Sequence, residues 1–155
     1  MGFLDDVDTK TCALDFCFDL YYCFLVRVFK YTAFSRFAKK EDVSDAELLE
    51  IINQLEKDQA DANLGGDVYK VRLARAGEGK SGGHRLIVYF RNEFRTFFVY
   101  GFPKSVRGNI SEKELKAFKI DAKEDFALTD AQINAWLKRG TLIEIPLEDK
   151  NEIQK

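Results

Sequence analysis

A chain of 155 residues with 46% apolar and 32% charged side chains has room for one packed core and excludes a disordered or fibrous class. The net charge is only −2, but residues 1–24 carry five acids and one Lys, residues 69–107 nine Lys or Arg and two Glu, and residues 111–155 ten acids and eight bases. A basic middle within a near-neutral chain points to a polyanion-binding face rather than to general stickiness.

Residues 1–24 hold all three cysteines, Cys12, Cys17 and Cys23, at spacings that fit no zinc or iron–sulfur pattern. An odd, clustered set argues for free thiols in a reducing cytoplasm and against a secreted disulfide scaffold. The apolar run "CALDFCFDLYYCFLVRVF" (12–29) is broken by Asp15, Asp19 and Arg27. Its uninterrupted part is short of the roughly 20 residues that span a bilayer. The acidic start has the wrong sign for a signal peptide. The expectation is a cytoplasmic protein with no membrane segment. Residues 1–24 read as an N-terminal extension, either appended or the product of a start codon set too early. If made, its apolar face calls for burial, which a homodimer would supply.

Residues 25–30 read as a first strand, and "TAFSRFAKK" (32–40) as a short helix with Phe34 and Phe37 on one face. "SDAELLEIINQLEKDQADANLGG" (44–66) opens with a capping box, Ser44 with Glu47, and carries Leu48, Leu49, Ile52 and Leu55 at helical spacing. Two amphipathic helices are thus expected within residues 32–62, with Gly65-Gly66 ending the segment. The period then changes to two. In "DVYKVRLAR" (67–75), Lys70 and Arg72 fall on one side of a strand and Tyr69, Val71 and Leu73 on the other. Residues 85–90 and 95–102 make two more strands joined by "RNEF", and the Gly-rich stretch before Arg85 reads as a flexible loop. Further capping boxes, Ser111 with Glu114 and Thr129 with Gln132, start two C-terminal helices, the last stopping at Gly140. "TLIEI" (141–145) reads as a short strand or docking tail. The fold class is α+β, a small antiparallel sheet with two N-terminal helices packed on it and C-terminal helices added.

"GEGKS" (77–81) invites a P-loop reading, but the required first glycine is Ala74 and the loop leads into a strand, not a helix. One His, no HExxH and no Cys/His cluster leave no ligand set for a metal and no call for a cofactor. Chemistry here must run on Lys, Arg, Tyr and His84. Such groups bind a phosphodiester, neutralise charge developing at phosphorus, and move protons if a Lys pKa is lowered by cationic neighbours. Lys70 with Arg72 on one strand, Arg85 heading the next, and Lys104 with Arg107 after the third form a cationic bowl. Arg75, Lys80, His84 and Tyr100 are candidates for RNA contact around it. RNA supplies its own 2′-hydroxyl as nucleophile, so the protein needs none.

"VYKVRLARAGEGKSGGHRLIVYF", followed by "FFVYGFPKSVRGNIS…EL", resembles the RelE/HigB-like toxins of bacterial type II toxin–antitoxin pairs, within the RelE/ParE superfamily. The likeness rests on K-x-R, G-x-G-K-x-G-G-x-R and an aromatic strand ending in a basic G-F-x-K motif. It covers about residues 25–120, with residues 121–155 as a C-terminal helical extension. It implies a microbial RNase-type fold and a metal-independent endoribonuclease, an mRNA interferase, that cleaves mRNA in the ribosome and inhibits translation. It further implies neutralisation by a cognate antitoxin and binding of operator DNA only in complex with that antitoxin. By position it puts catalysis on Lys70, Arg72, Arg85 and Arg107. A late Tyr that serves some RelE proteins is missing from "RGNIS" (107–111). Two other readings stand beside this one: a ParE-like gyrase-inhibiting toxin, and a catalytically inactive nucleic-acid-binding module.

Overall fold

The computed structural model describes residues 27–75, 79–92 and 94–147, without the side chains of residues 75 and 79–82. The readings placed on residues 1–24, and the side chains of Arg75 and Lys80, lie outside it. Alternation of period two builds strands and the 3.6-residue period builds helices, in the order β1 (Arg27–Tyr31), α1 (Thr32–Lys40), α2 (Asp45–Glu56), β2 (Ala62–Gly65), β3 (Val68–Arg75), β4 (Gly79–Phe90), β5 (Arg95–Pro103), α3 (Glu112–Ala127), α4 (Asp130–Arg139) and β6 (Leu142–Ile145). The result is α+β, as the patterning predicts. All three capping boxes form: Ser44, Ser111 and Thr129 each accept from the backbone of the residue three places on, whose side chain returns the bond. Gly140, at φ 82°, ends α4 in the left-handed conformation that glycine adopts without strain.

One sheet of six strands runs in the order β2-β3-β4-β5-β1-β6. Two features depart from the expected antiparallel sheet. β1 lies parallel to β5, with Phe29 beside Phe97, because α1 and α2 carry the chain away from β1 before the meander begins. β2 occupies Ala62–Gly65, inside a stretch that reads as helix-to-turn; α2 ends at Glu56, and Gly65-Gly66, both at positive φ, turn β2 into β3. "TLIEI" does form a strand: β6 pairs antiparallel with β1, so residues near the C-terminus help to complete the sheet.

Each sheet face carries a helical layer. On one, α1 and α2 bury Phe34, Ala38, Leu48, Ile51 and Leu55 against Val28, Val71, Leu86, Val88 and Phe98. Ile51 is buried where the helical spacing pointed to Leu49, which is half-buried. On the other face α3 and α4 bury Ala122, Phe126 and Ile133 against Phe29, Val68, Ile87, Tyr89 and Phe97. Burying a side chain of this size is worth roughly 1.5–3 kcal/mol, so two such clusters are ample to hold a two-sided sheet. Backbone meets backbone or ring closely at two glycines. A Cβ at Gly83 would lie 2.1 Å from the Leu73 carbonyl oxygen, and one at Gly101 2.3 Å from the Phe37 ring. Part of the glycine-rich stretch is thus strand, not loop: β4 begins at Gly79 and pairs it with Arg75 across a register shift.

Candidate nucleic-acid interface

Residues opposite one another across an antiparallel ladder share a face. Arg72 lies opposite Arg85, and Arg85 lies opposite Phe102. One step along, Lys70 lies opposite Ile87, and Ile87 opposite Tyr100. Ile87 and Tyr100 belong to the core beneath α3, and Lys70, Arg72 and Arg85 continue that same face, with the Phe102 ring beside them buried at 3% exposure. Phe118 of α3 reaches as far as Tyr89 and Tyr100, at ring separations of 6.4 and 6.0 Å. Past that edge the face turns from aromatic to cationic.

The cations differ in how they are held. Lys70 is partly buried and its pKa is lowered, first by burial and then by the Arg85 and Arg72 guanidinium groups; Asp61 opposes this. Arg72 is 44% exposed with Asp61 3.8 Å away. Arg85 is partly buried, and its Nε is buried with no hydrogen-bond partner among the described residues. Such a donor costs free energy until an acceptor reaches the guanidinium. Arg107 is the best anchored. Its Nε donates to the Asn109 carbonyl at 2.8 Å, one Nη to the Tyr100 hydroxyl at 3.4 Å, and the other Nη to the Glu114 carboxylate. Its guanidinium carbon stands 5.7 Å from the centre of the Phe102 ring. Glu114 is held down to about 2, first by Arg107 and then by the Ser111 amide. Lys104 is exposed just past β5, its backbone N–H bonded to Gly83 O at 3.2 Å. Tyr100 is half-buried at the edge of the bowl.

His84 is not part of this surface. It is 2% exposed, next to Arg85 in β4 and therefore on the opposite face. There it meets the Phe37 ring edge-on at 5.5 Å and lines a cleft of about 250 Å³ with Glu41, Asp42 and Leu73. Its assignment to RNA contact is corrected: alternation turns it into the α1–α2 layer. Two other bases of residues 69–107 are structural. Arg95 is buried and donates to Leu128 O at 2.6 Å and to Asp130 at 2.9 Å. Arg91 donates to Asp67 at 2.8 Å and covers the Phe126 ring. Residue counting missed Glu114 beside the cluster. Alternation in "VYGFP" (99–103) puts Phe102 in the core, where it is 3% exposed. Glu114 carried only its capping-box signal.

The assembly defines a class: a small α+β domain whose central strands end in a convergent cluster of Lys and Arg suited to a phosphodiester. The family model described as the RelE toxin of the RelE / RelB toxin–antitoxin system matches residues 26–145. The chain belongs to this RelE toxin family, whose members pair with an antitoxin. The match runs through α4 and β6. Among curated proteins, none matches the chain. Among the described residues, no helix is long and apolar enough to cross a membrane.

Proposed function

We propose that this toxin is a ribosome-dependent mRNA endonuclease acting in the cytoplasm, inhibiting translation until a cognate antitoxin neutralises it. The observation that carries the reading is the cross-strand set Lys70, Arg72 and Arg85 on one sheet face, with Arg107 tied to the same end through Tyr100. In the proposed reaction the RNA 2′-hydroxyl attacks the adjacent phosphorus and the 5′-oxygen leaves, giving a 2′,3′-cyclic phosphate and a free 5′-hydroxyl. Arg85 and Arg72 stabilise the charge that builds on the phosphoryl oxygens. Lys70, its ammonium disfavoured by burial and by both arginines, exchanges the proton. Arg107 holds the strand beside Tyr100, and Lys104, exposed just past β5, extends contact to a neighbouring phosphate; Arg75 and Lys80 are proposed for the same role from the sequence alone. The antitoxin acts by covering this surface, and operator DNA is bound by the pair together.

The reading favours a nuclease over a gyrase poison, because a cluster that lowers a lysine pKa serves proton transfer and serves docking poorly. The test is mRNA cleavage by purified protein with and without translating ribosomes, mapped by primer extension. Cuts that appear only with ribosomes support the proposal. An absence of cuts in both conditions, with inhibition of DNA supercoiling, replaces it by the gyrase reading.

A further inference from the structure

The arginine that closes the bowl is held by three acceptors from different parts of the chain. Tyr100 comes from β5, the Asn109 carbonyl from the following loop, and Glu114 from the first turn of α3. Glu114 is itself fixed, accepting from the Ser111 backbone N–H at 2.8 Å as the third residue of the capping box. Three of the five guanidinium N–H groups are committed in this way, which leaves two for a phosphate. A long side chain that would otherwise sample many rotamers is held in one. The same carboxylate places a full negative charge beside the cation, and a phosphate must compete with it.

We propose that Glu114 is a positioning residue for the RNA cleavage inferred above: it holds the Arg107 guanidinium beside the Tyr100 hydroxyl and withholds that charge from general RNA binding. The inference rests on the ribonuclease reading. Glu114 thereby exchanges affinity for geometry. Nonspecific attraction to RNA is reduced by about one cation, and the retained N–H groups are aimed. It also ties the start of α3 to the bowl, so whatever displaces that helix turn also releases Arg107.

The test compares the wild type with Glu114→Gln. Glutamine at this capping-box position still accepts the Ser111 amide, so the helix start is kept while the charge is lost. The probe for binding is a single-stranded RNA with 2′-O-methyl groups, which it cannot cleave by its own hydroxyl. Glu114→Gln is expected to bind this RNA about three- to tenfold more tightly at low salt, with the log affinity–log salt slope steeper by about 0.7, one further counterion released. Single-turnover mRNA cleavage on ribosomes is expected to fall about tenfold or more, as expected when positioning is lost. A structural defect would weaken binding and cleavage together, and that outcome overturns the proposal, as does no change in either. Arginine side-chain NMR gives a measurement free of RNA: the Arg107 Nη–H group that donates to Glu114 should rotate and exchange slowly in the wild type and fast in the variant, and equal behaviour overturns the hold. If the wild type cleaves no mRNA, the ribonuclease reading fails. The affinity and slope comparison then still decides whether Glu114 withholds the Arg107 charge.

Discussion

The sheet face under α3 and α4 has two ends built on the same alternation. At the β1–β5 end, Phe29, Phe97 and Phe126 stack and interlock at ring separations of 5.3 and 5.8 Å, and even arginines are absorbed: Arg95 is buried on Leu128 O and Asp130. At the β3–β4 end, Lys70, Arg72 and Arg85 crowd together, and among the described residues Asp61 stands 3.8 Å from Arg72. The difference teaches what a cation is for in this fold. Arg95, buried with a carboxylate and a carbonyl on its guanidinium, is part of the scaffold, whereas Arg107, held by the same kinds of group, stays partly exposed. Where cations face one another, like charge is tolerated at a cost in stability that only an anionic ligand removes.

The comparison can be broken from the cationic end. Arg85→Ala should lower ribosome-dependent cleavage about 10²–10³-fold, the scale of losing a charge-stabilising donor at the reacting group. Its melting temperature should stay unchanged or rise, because like-charge crowding is relieved. Primer extension and thermal unfolding of one preparation read both effects. At the aromatic end the effects should reverse. Phe97→Ala should cost about 3–5 kcal/mol in urea unfolding, the usual cost of emptying a buried ring. Cleavage per folded molecule should hardly change.

A smaller effect sharpens the cationic end. Arg72→Gln removes one of the two guanidinium groups that disfavour the Lys70 ammonium, so the Lys70 pKa should rise toward its ordinary value. The limb of the pH–rate profile that reports Lys70 should move to higher pH, and an unmoved profile would take Lys70 out of the proton transfer.

The smallest expected effect lies under the covered end. Asp125 is 4% exposed and accepts from the Tyr31 hydroxyl at 2.7 Å. Burial pushes its carboxyl up from 3.8 to about 6, with Asp121 and Glu124 adding to the rise and the Tyr31 bond opposing it. Below the ordinary value both folded and unfolded chains hold the proton, and this group favours neither ionised form. As pH rises through about 6 the folded chain must ionise a buried carboxyl that the unfolded chain ionises freely. The contribution of Asp125 to stability is therefore greatest in acid and is lost by neutral pH. Asp125→Asn should flatten that decline in melting temperature between pH 4 and pH 7, and an identical decline in the variant would assign it elsewhere.

Much of the site was legible in the chain because its signals are local. Alternation alone put Lys70 and Arg72 on one face and Val71 and Leu73 on the other, and three capping boxes marked three helix starts. His84 shows the limit of reading a stretch by composition. It stands among glycines and bases, yet one residue of offset in a strand sends it into the opposite layer beside Phe37. Arg91 and Arg95 were counted into a basic field that they do not join, because their partners Asp67 and Asp130 lie 24 and 35 residues away.

By itself the sequence determined the periods, the caps, the α+β class and the cationic strands, since each depends on neighbours within a turn or a pleat. Only the tertiary structure decided that β1 would run parallel to β5, that β6 would finish the sheet, that Phe118 of α3 would pack on Tyr100, and that Glu114 would meet Arg107. Those outcomes depend on which surfaces remain to be covered once the sheet has formed. Such competition among distant segments is settled by total burial and charge pairing, and no short stretch of chain contains it.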